Sequence, residues 1–156
     1  MPLNTLKKYL DDNGVEYVLI SHSKAFTAQK IAAAAHIRGK DIAKTVMVKI
    51  DGKMAMVVLP ASMRIDFHHL KEVIGTNDIS IAKEGEFKEM FPSCETGAMP
   101  PFGNLYNMEV FSDQSLAGDH EIAFNAGSHT ELIQMEYSDF ERLVEPQIIS
   151  FSTQLA

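Results

Sequence analysis

Residues 43–60 read Ala43-Lys44-Thr45-Val46-Met47-Val48-Lys49-Ile50-Asp51-Gly52-Lys53-Met54-Ala55-Met56-Val57-Val58-Leu59-Pro60. Two β-prone runs flank Asp51-Gly52, a pair favoured in two-residue hairpins because both positions tolerate positive φ. The stretch predicts a strand over 43–50, a tight turn, and a strand over 53–59 closed by Pro60. In the second run Met54, Met56 and Val58 alternate with Ala55, Val57 and Leu59, so both faces are apolar. Such a strand belongs in the middle of a sheet that is covered on both sides.

Outward from the hairpin, helices and strands alternate. Leu3, Leu6 and Leu10 recur at helical spacing before Gly14, which predicts a helix over 3–13. A short strand follows at 16–20, then a polar loop at 21–24, then an Ala-rich helix through Ala35 with Thr27 as its cap and Gly39 ending the region. Beyond the hairpin, Asp66 caps a helix to Ile74 with Gly75 after it. A strand at 78–82 and a short helix at 83–91, with Phe87 and Phe91 on one face, come next. Residues 92–106 read as loop. Strands are predicted at 107–111, 121–125 and 130–136, with a final helix capped by Ser138 and running to Val144. The pattern is an α/β (α+β) fold with a central mixed sheet and helices packed around it.

The chain has 156 residues, 46% hydrophobic and 22% charged, which suits one domain spanning 1–156. No apolar run approaches the ~18 residues that a membrane span needs, and the start lacks signal-peptide features. With Cys94 as the single cysteine, no internal disulfide can form, and a cytoplasmic location is expected. The net charge of −7 is unevenly spread: residues 1–50 sum to +4 and residues 51–156 to −11. That asymmetry can steer one end of an anionic ligand to one face, whereas broad duplex binding needs an extensively basic surface.

Three groups of residues could carry chemistry. Thr96-Gly97-Ala98-Met99-Pro100-Pro101-Phe102-Gly103 combines glycines, which expose backbone N–H groups, with prolines, which fix a loop's shape. It suits recognition of a carbonyl, carboxylate or phosphate, and equally a structural turn. Lys44 enters the central hairpin, where it either stands over a pocket or snorkels to solvent. Among the six histidines, His22 and His129 fall in loops or at strand ends, suited to ligand contact or to plain surface positions. His68 and His69 are adjacent, so they cannot form an i, i+4 metal pair. With no His-Glu-x-x-His or paired Cys-x-x-Cys, neither metal nor cofactor is expected. Glu95 beside Cys94 opposes a thiolate, and no nucleophile elbow, P-loop or dinucleotide fingerprint is present.

Taken together, Ala43-Lys44-Thr45-Val46-Met47-Val48, the Gly97-x-x-x-Pro101-x-Gly103 loop, and Asn125-Ala126-Gly127 followed by a strand and the Asp139-Phe140 helix resemble the YbaK / prolyl-tRNA synthetase-associated domain family. Order and spacing agree over residues 3–145. The family includes free-standing deacylases and the editing insertion of bacterial prolyl-tRNA synthetases. The resemblance implies a partly curled sheet, with Lys44 as the catalytic residue and the 97–103 loop opposite it. It further implies that Thr45, Gly97, Pro101, Gly103, Gly127, His129 and His22 bind substrate. The expected partner is the acceptor end of an aminoacyl-tRNA, with an aminoacyl-tRNA synthetase as an optional second partner and no membrane. The expected activity is removal of a small, wrongly attached amino acid, tRNA-Pro being one candidate carrier. The alternative is a non-catalytic module of the same fold that binds tRNA, a nucleotide or an aminoacyl ligand. Ala126, Met47 and Phe26 are candidate walls of a size-selective pocket. Two departures bear on the substrate. Asn125 stands where many free-standing relatives carry serine, and Ser128-His129-Thr130-Glu131-Leu132 replaces a basic-Gly-x-Asp run, with His129 a substitute polar contact.

Overall fold

The computed structural model describes residues 2–25, 28–91, 94–95 and 97–154. In chain order the elements are α1 (Pro2–Asp12), β1 (Tyr17–Ser21), α2 (Ala28–Ala35), β2 (Ala43–Ile50), β3 (Lys53–Pro60), β4 (Met63–Ile65), α3 (Phe67–Ile74), β5 (Ile79–Ile81), α4 (Glu84–Phe87), β6 (Glu109–Asp113), β7 (Glu121–Asn125), β8 (Glu131–Glu136), α5 (Tyr137–Val144), β9 (Gln147–Ile149) and β10 (Ser152–Gln154). Thr27 as a cap and Phe26 as a pocket wall fall outside the described residues.

The hairpin forms as its sequence predicts. β2 and β3 pair antiparallel from Ala43 opposite Pro60 to Ile50 opposite Lys53, about Asp51 and Gly52 at φ 51° and 82°. β3 sits at the middle of a five-stranded sheet in the order β5-β2-β3-β6-β9. β3–β6 and β6–β9 are parallel and the other pairs antiparallel, so the sheet is mixed. Both faces of β3 are buried. Met56 and Val58 join a core with Leu6 and Leu10 of α1 and Phe140 of α5. Ala55, Val57 and Leu59 join a second core with Leu70 of α3 and Phe151. Each fully buried Val, Leu or Met side chain contributes about 1.5–3 kcal/mol, which makes β3 the strand on which both layers depend.

A second sheet, in the order β1-β8-β7, is joined to the first by one backbone bridge among the described residues and packs against it in the α1/α5 core. Ile42 forms a parallel bridge with Ala123, just before β2 begins. Behind that junction a third core gathers Ile42, Ala61, Ala123 and Leu132 under Ala25 and Ile31 and Ala32 of α2.

Local signals explain most boundaries. The Asp66 carboxylate accepts from the His69 N–H at 3.1 Å and starts α3, and the Gly75 N–H donates to the Lys71 carbonyl at 2.8 Å at its end. The predicted helix at 83–91 breaks into α4 and a single 3₁₀ turn at Lys88–Met90, so Phe87 and Phe91 do not share one helix face, though both are buried. β6 starts at Glu109 rather than at 107, because Asn107 takes a left-handed φ of 57°. α5 begins at Tyr137, which is buried and donates its N–H to the His120 carbonyl at 3.0 Å. Ser138 therefore lies inside the helix, and Glu136 occupies the cap position. Gly39 opens a 3₁₀ turn, Gly39–Asp41, that leads into β2. The three-residue strands β4, β9 and β10 were not expected. No helix among the described residues is long and apolar enough to cross a membrane.

The C-terminal segment is held by one buried carboxylate. Asp113, 2% exposed, accepts from the backbone N–H groups of Phe151 and Ser152, each at 3.0 Å, and from the Ser152 hydroxyl at 2.8 Å. It also accepts from the backbone and hydroxyl of Ser115. Burial alone would raise its pKa, but these donors outweigh burial and hold it below the usual carboxylate value. Asp113→Asn is expected to lower unfolding stability by roughly 2–4 kcal/mol at neutral pH in chemical denaturation. Because the folded-state pKa is depressed, the wild-type advantage is present above the unfolded-state value and shrinks as pH falls through the folded-state one. The gap between the two proteins should therefore narrow below about pH 4.

Gly103 is fixed by packing. A Cβ there would lie 2.6 Å from Val110 Cγ2 and 2.8 Å from the Met108 carbonyl oxygen. Gly103→Ala is expected to lower stability by about 1–3 kcal/mol, read from the thermal or denaturant midpoint.

Candidate functional site

The strand ends around the Ile42–Ala123 bridge carry most of the polar side chains expected at a site. β2 and β7 run parallel through the bridge, and beyond it nothing described pairs with the open edge of β2 until β5 joins at Val48. The Ile42 carbonyl accepts from Ala61 on the β3 side, whereas the Met47 carbonyl accepts from Ala82 on the other. By this alternation the backbone of Thr45 points into the gap between β7 and β5. Lys44 and Asn125 lie two residues past the bridge, on β2 and β7 respectively.

Side-chain alternation decides which face each residue occupies. Ala43 and Met47 enter the α1/α5 core, and Thr45 shares their face. Lys44 leaves the opposite face, with Val46 and Val48. On that face Ile42 and Ala123 belong to the α2 core. Asn125 lies opposite Leu132 on β8, which lies opposite Ile20 on β1, so these three share the α2 face. His22 continues β1: its N–H donates to the Thr130 carbonyl at 2.9 Å, which puts it on the same face at the same end. The α2 face thus presents Lys44, Asn125 and His22 around a floor of small and branched apolar residues.

Lys44 is partly buried and makes no hydrogen bond or ion pair with any described residue. Burial pushes its pKa below the ordinary lysine value. A lysine that snorkelled fully into water would not be shifted in this way. The Asn125 Oδ1 and His22 Nε2 atoms are buried and have no hydrogen-bond partner among the described residues. His22 Nδ1 lies 2.7 Å from the Ser23 carbonyl oxygen and donates to it. In the neutral ring Nε2 then carries the lone pair.

A second constellation borders the first. Glu95 N–H donates to the Gly127 carbonyl and Gly127 N–H to the Ala98 carbonyl, each at 2.9 Å, which ties the start of the 97–103 loop to the β7–β8 turn. Gly97 and Gly127 sit at φ 85° and 101°, conformations that side-chain-bearing residues rarely adopt. His129 is 6% exposed; its N–H donates to Glu95 Oε2 at 3.0 Å, and its Nε2 lies 3.7 Å from the same oxygen. Its Cε1 would sit 3.7 Å from a Cβ on Gly97. The His129 carbonyl accepts from Ala25 at 3.3 Å, which links this group to the segment after His22.

Of the residues singled out in the sequence, Gly97, Gly127 and His129 therefore meet directly, and His22 joins them through the 129–130 backbone. Lys44 stands at the same strand ends, on the α2 face. Thr45 turns its side chain to the other face. Pro101 and Gly103 are buried with Met99 and Phe102, which belong to the α1/α5 core. Met47 and Ala126 are buried in that core as well. Cys94 is partly buried, and burial pushes its thiol pKa up despite a hydrogen bond with Tyr106, so thiolate is disfavoured. Among the described residues, no three His, Cys, Asp or Glu side chains are grouped to hold a metal ion. Nothing in the sequence marks Glu95 as a site residue, whereas for Asn125 a polar residue ending the apolar alternation of 121–125 is the available signal.

Residues 22–143 match the family model for the aminoacyl-tRNA editing domain. The chain is 27% identical over 150 residues to the multifunctional Ser/Thr-tRNA deacylase ProXp-y of Escherichia coli K12, covering 91% of this chain and 87% of that one. It is 26% identical over 143 residues to the prolyl-tRNA editing protein ProX of Acetoanaerobium sticklandii, covering 87% and 86%. A proline–tRNA ligase of Bacillus mycoides matches 68% of this chain at 24% identity, over 18% of its own length. In fold, the chain superimposes with a TM-score of 0.82 on the crystal structure of a protein described as a candidate trans-editing enzyme for prolyl tRNA synthetase, at 18% identity and 97% coverage of both. By the match over residues 22–143, the chain belongs to the aminoacyl-tRNA editing domain family.

Proposed function

We propose that the chain is a trans-editing aminoacyl-tRNA deacylase, hydrolysing the ester that joins a wrongly attached small amino acid to the 3′ end of tRNA. The observation that carries this reading is Lys44: a partly buried cation without a described partner, at the place where β2 and β7 part, in a chain of this family.

An aminoacyl ester is already activated, so its hydrolysis needs no strong protein nucleophile. Water adds to the carbonyl carbon, the carbon–oxygen bond to the ribose breaks, and the ribose oxygen takes up a proton. Lys44 is the group proposed to stabilise the developing negative charge, together with backbone donors of the loop that starts at Gly97. The neighbouring ribose hydroxyl can orient the water. Size selection falls to the small residues Ala25, Ala61 and Ala123 beneath the site. Gly127, His129 and His22 border the bound end, while Thr45, Pro101 and Gly103 support it from the other face. The carrier tRNA, with tRNA-Pro one candidate, and a synthetase partner belong to the same reading, as does action in the cytoplasm on newly charged tRNA.

The test is a panel of labelled aminoacyl-tRNAs. Hydrolysis of at least one small-residue species well above its spontaneous rate is expected, with Lys44→Ala lowering kcat/KM by roughly 10²–10³-fold. Binding of an aminoacyl-adenosine analogue with no turnover of any species would favour a non-catalytic module instead. Because a lysine with a depressed pKa costs stability at neutral pH, Lys44→Met should keep or raise the thermal midpoint while removing activity. A sharp fall in the midpoint would give Lys44 a structural role.

A further inference from the structure

We propose that Asn125 reads the free α-amino group of the aminoacyl substrate and so makes the site selective for unblocked aminoacyl esters. The inference rests on the deacylase reading and assigns a specificity determinant within it.

Two hydrogen-bond acceptors on the α2 face lack donors. Asn125 Oδ1 and His22 Nε2 are both buried, and no described residue donates to either. Leaving such an atom unpaired costs about 1–3 kcal/mol, which is retained at a site that a ligand completes. Their places in the fold are set by the strands: Asn125 ends β7 opposite Leu132, and His22 follows β1 opposite Thr130. The floor between them is apolar, with Leu132 and Ala123 below and Ala25 alongside. Lys44, on the neighbouring strand past the Ile42–Ala123 bridge, is the donor of the set.

An aminoacyl ester carries the complementary pattern on adjacent carbons. Its carbonyl oxygen accepts and its α-ammonium donates. One side-chain hydroxyl offers a single donor, whereas an ammonium offers three, enough for both vacant acceptors. Asn125 and Lys44 each follow the Ile42–Ala123 bridge by two residues on the same face, so a carbonyl held by Lys44 directs the α-amino group toward the Asn125 strand end. The neutral amide suits this position better than a carboxylate would, because a carboxylate would pair with Lys44 and withdraw it from the carbonyl.

The test compares alanyl-tRNA and seryl-tRNA with their N-acetyl derivatives. Wild-type protein is expected to hydrolyse the free-amine esters roughly 10- to 100-fold faster than the acetylated ones, after correction for spontaneous rates. Asn125→Leu should collapse that ratio by slowing only the free-amine esters, and Asn125→Asp, which keeps an acceptor but pairs with Lys44, should slow both kinds of ester while preserving a preference for the free amine. Equal wild-type rates on free and acetylated esters, or an Asn125→Leu variant that slows both by the same factor, would overturn the proposal. Calorimetry with 3′-alanylamino-3′-deoxyadenosine and its N-acetyl form separates this from the deacylase reading. A wild-type protein that hydrolyses no ester but binds the free amine at least 10-fold more tightly keeps the inference and loses the enzyme. Equal affinity for the two analogues, or no binding of either, removes it.

Discussion

Where Ile42 meets Ala123, two sheets share one parallel bridge, and no further ladder pairing joins them among the described residues. That single contact decides what the rest of the site can be. The bridge sits over an apolar core; β2 begins just past it without further ladder pairing to β7, and the next same-face residues are Lys44 and Asn125. Parted strands leave edge groups without ladder partners, and a ligand can use them. The bridge in turn depends on β3, whose two buried faces anchor β2, and on β8, which holds β7 in register from Glu121 to Asn125. A lysine could be placed at a strand edge in many folds. Here Lys44 has no ion-pair partner among the described residues, and burial lowers its pKa, so its charge is available to a ligand.

That arrangement also reconciles an acidic chain with a polyanionic substrate. Net charge of −7 opposes broad binding along a nucleic-acid helix. An editing domain that grips the aminoacyl end needs favourable potential only there, and the first 50 residues carry a surplus of +4 that includes Lys44. Discrimination can then rest on the shape and hydrogen bonding of a small group rather than on long-range attraction.

Much of the architecture was legible because its signals are local. Asp51-Gly52 fixed the hairpin and its register, the double alternation of 54–59 put β3 in the centre, and Asp66 and Gly75 marked both ends of α3. What escaped was short or non-local. Strands of three residues such as β4, β9 and β10 are too brief for alternation to show, and the parallel pairing of β3 with β6 joins segments about fifty residues apart. Asp113 sits in Phe111-Ser112-Asp113-Gln114-Ser115, which reads as a polar turn. Its five donors come partly from residues 151 and 152, so its role exists only once the chain closes on itself. The site divides in the same way. Residues joined by a turn, Gly127 and His129, could be guessed together. Which face Lys44 would take relative to the 97–103 loop could not, because face depends on register with partners that the sequence does not name. Asn125 was visible as a polar residue ending an apolar run, but its buried, donorless oxygen is a property of the folded strands.

In the proposed mechanism the aminoacyl group lodges beside the strand ends that follow the Ile42–Ala123 bridge. A crystal structure of the protein with 3′-alanylamino-3′-deoxyadenosine tests it most directly. The carbonyl oxygen is expected within hydrogen-bond distance of Lys44 Nζ, with the amine facing Asn125 on the α2 side. An analogue seated elsewhere, with both side chains untouched, would contradict it.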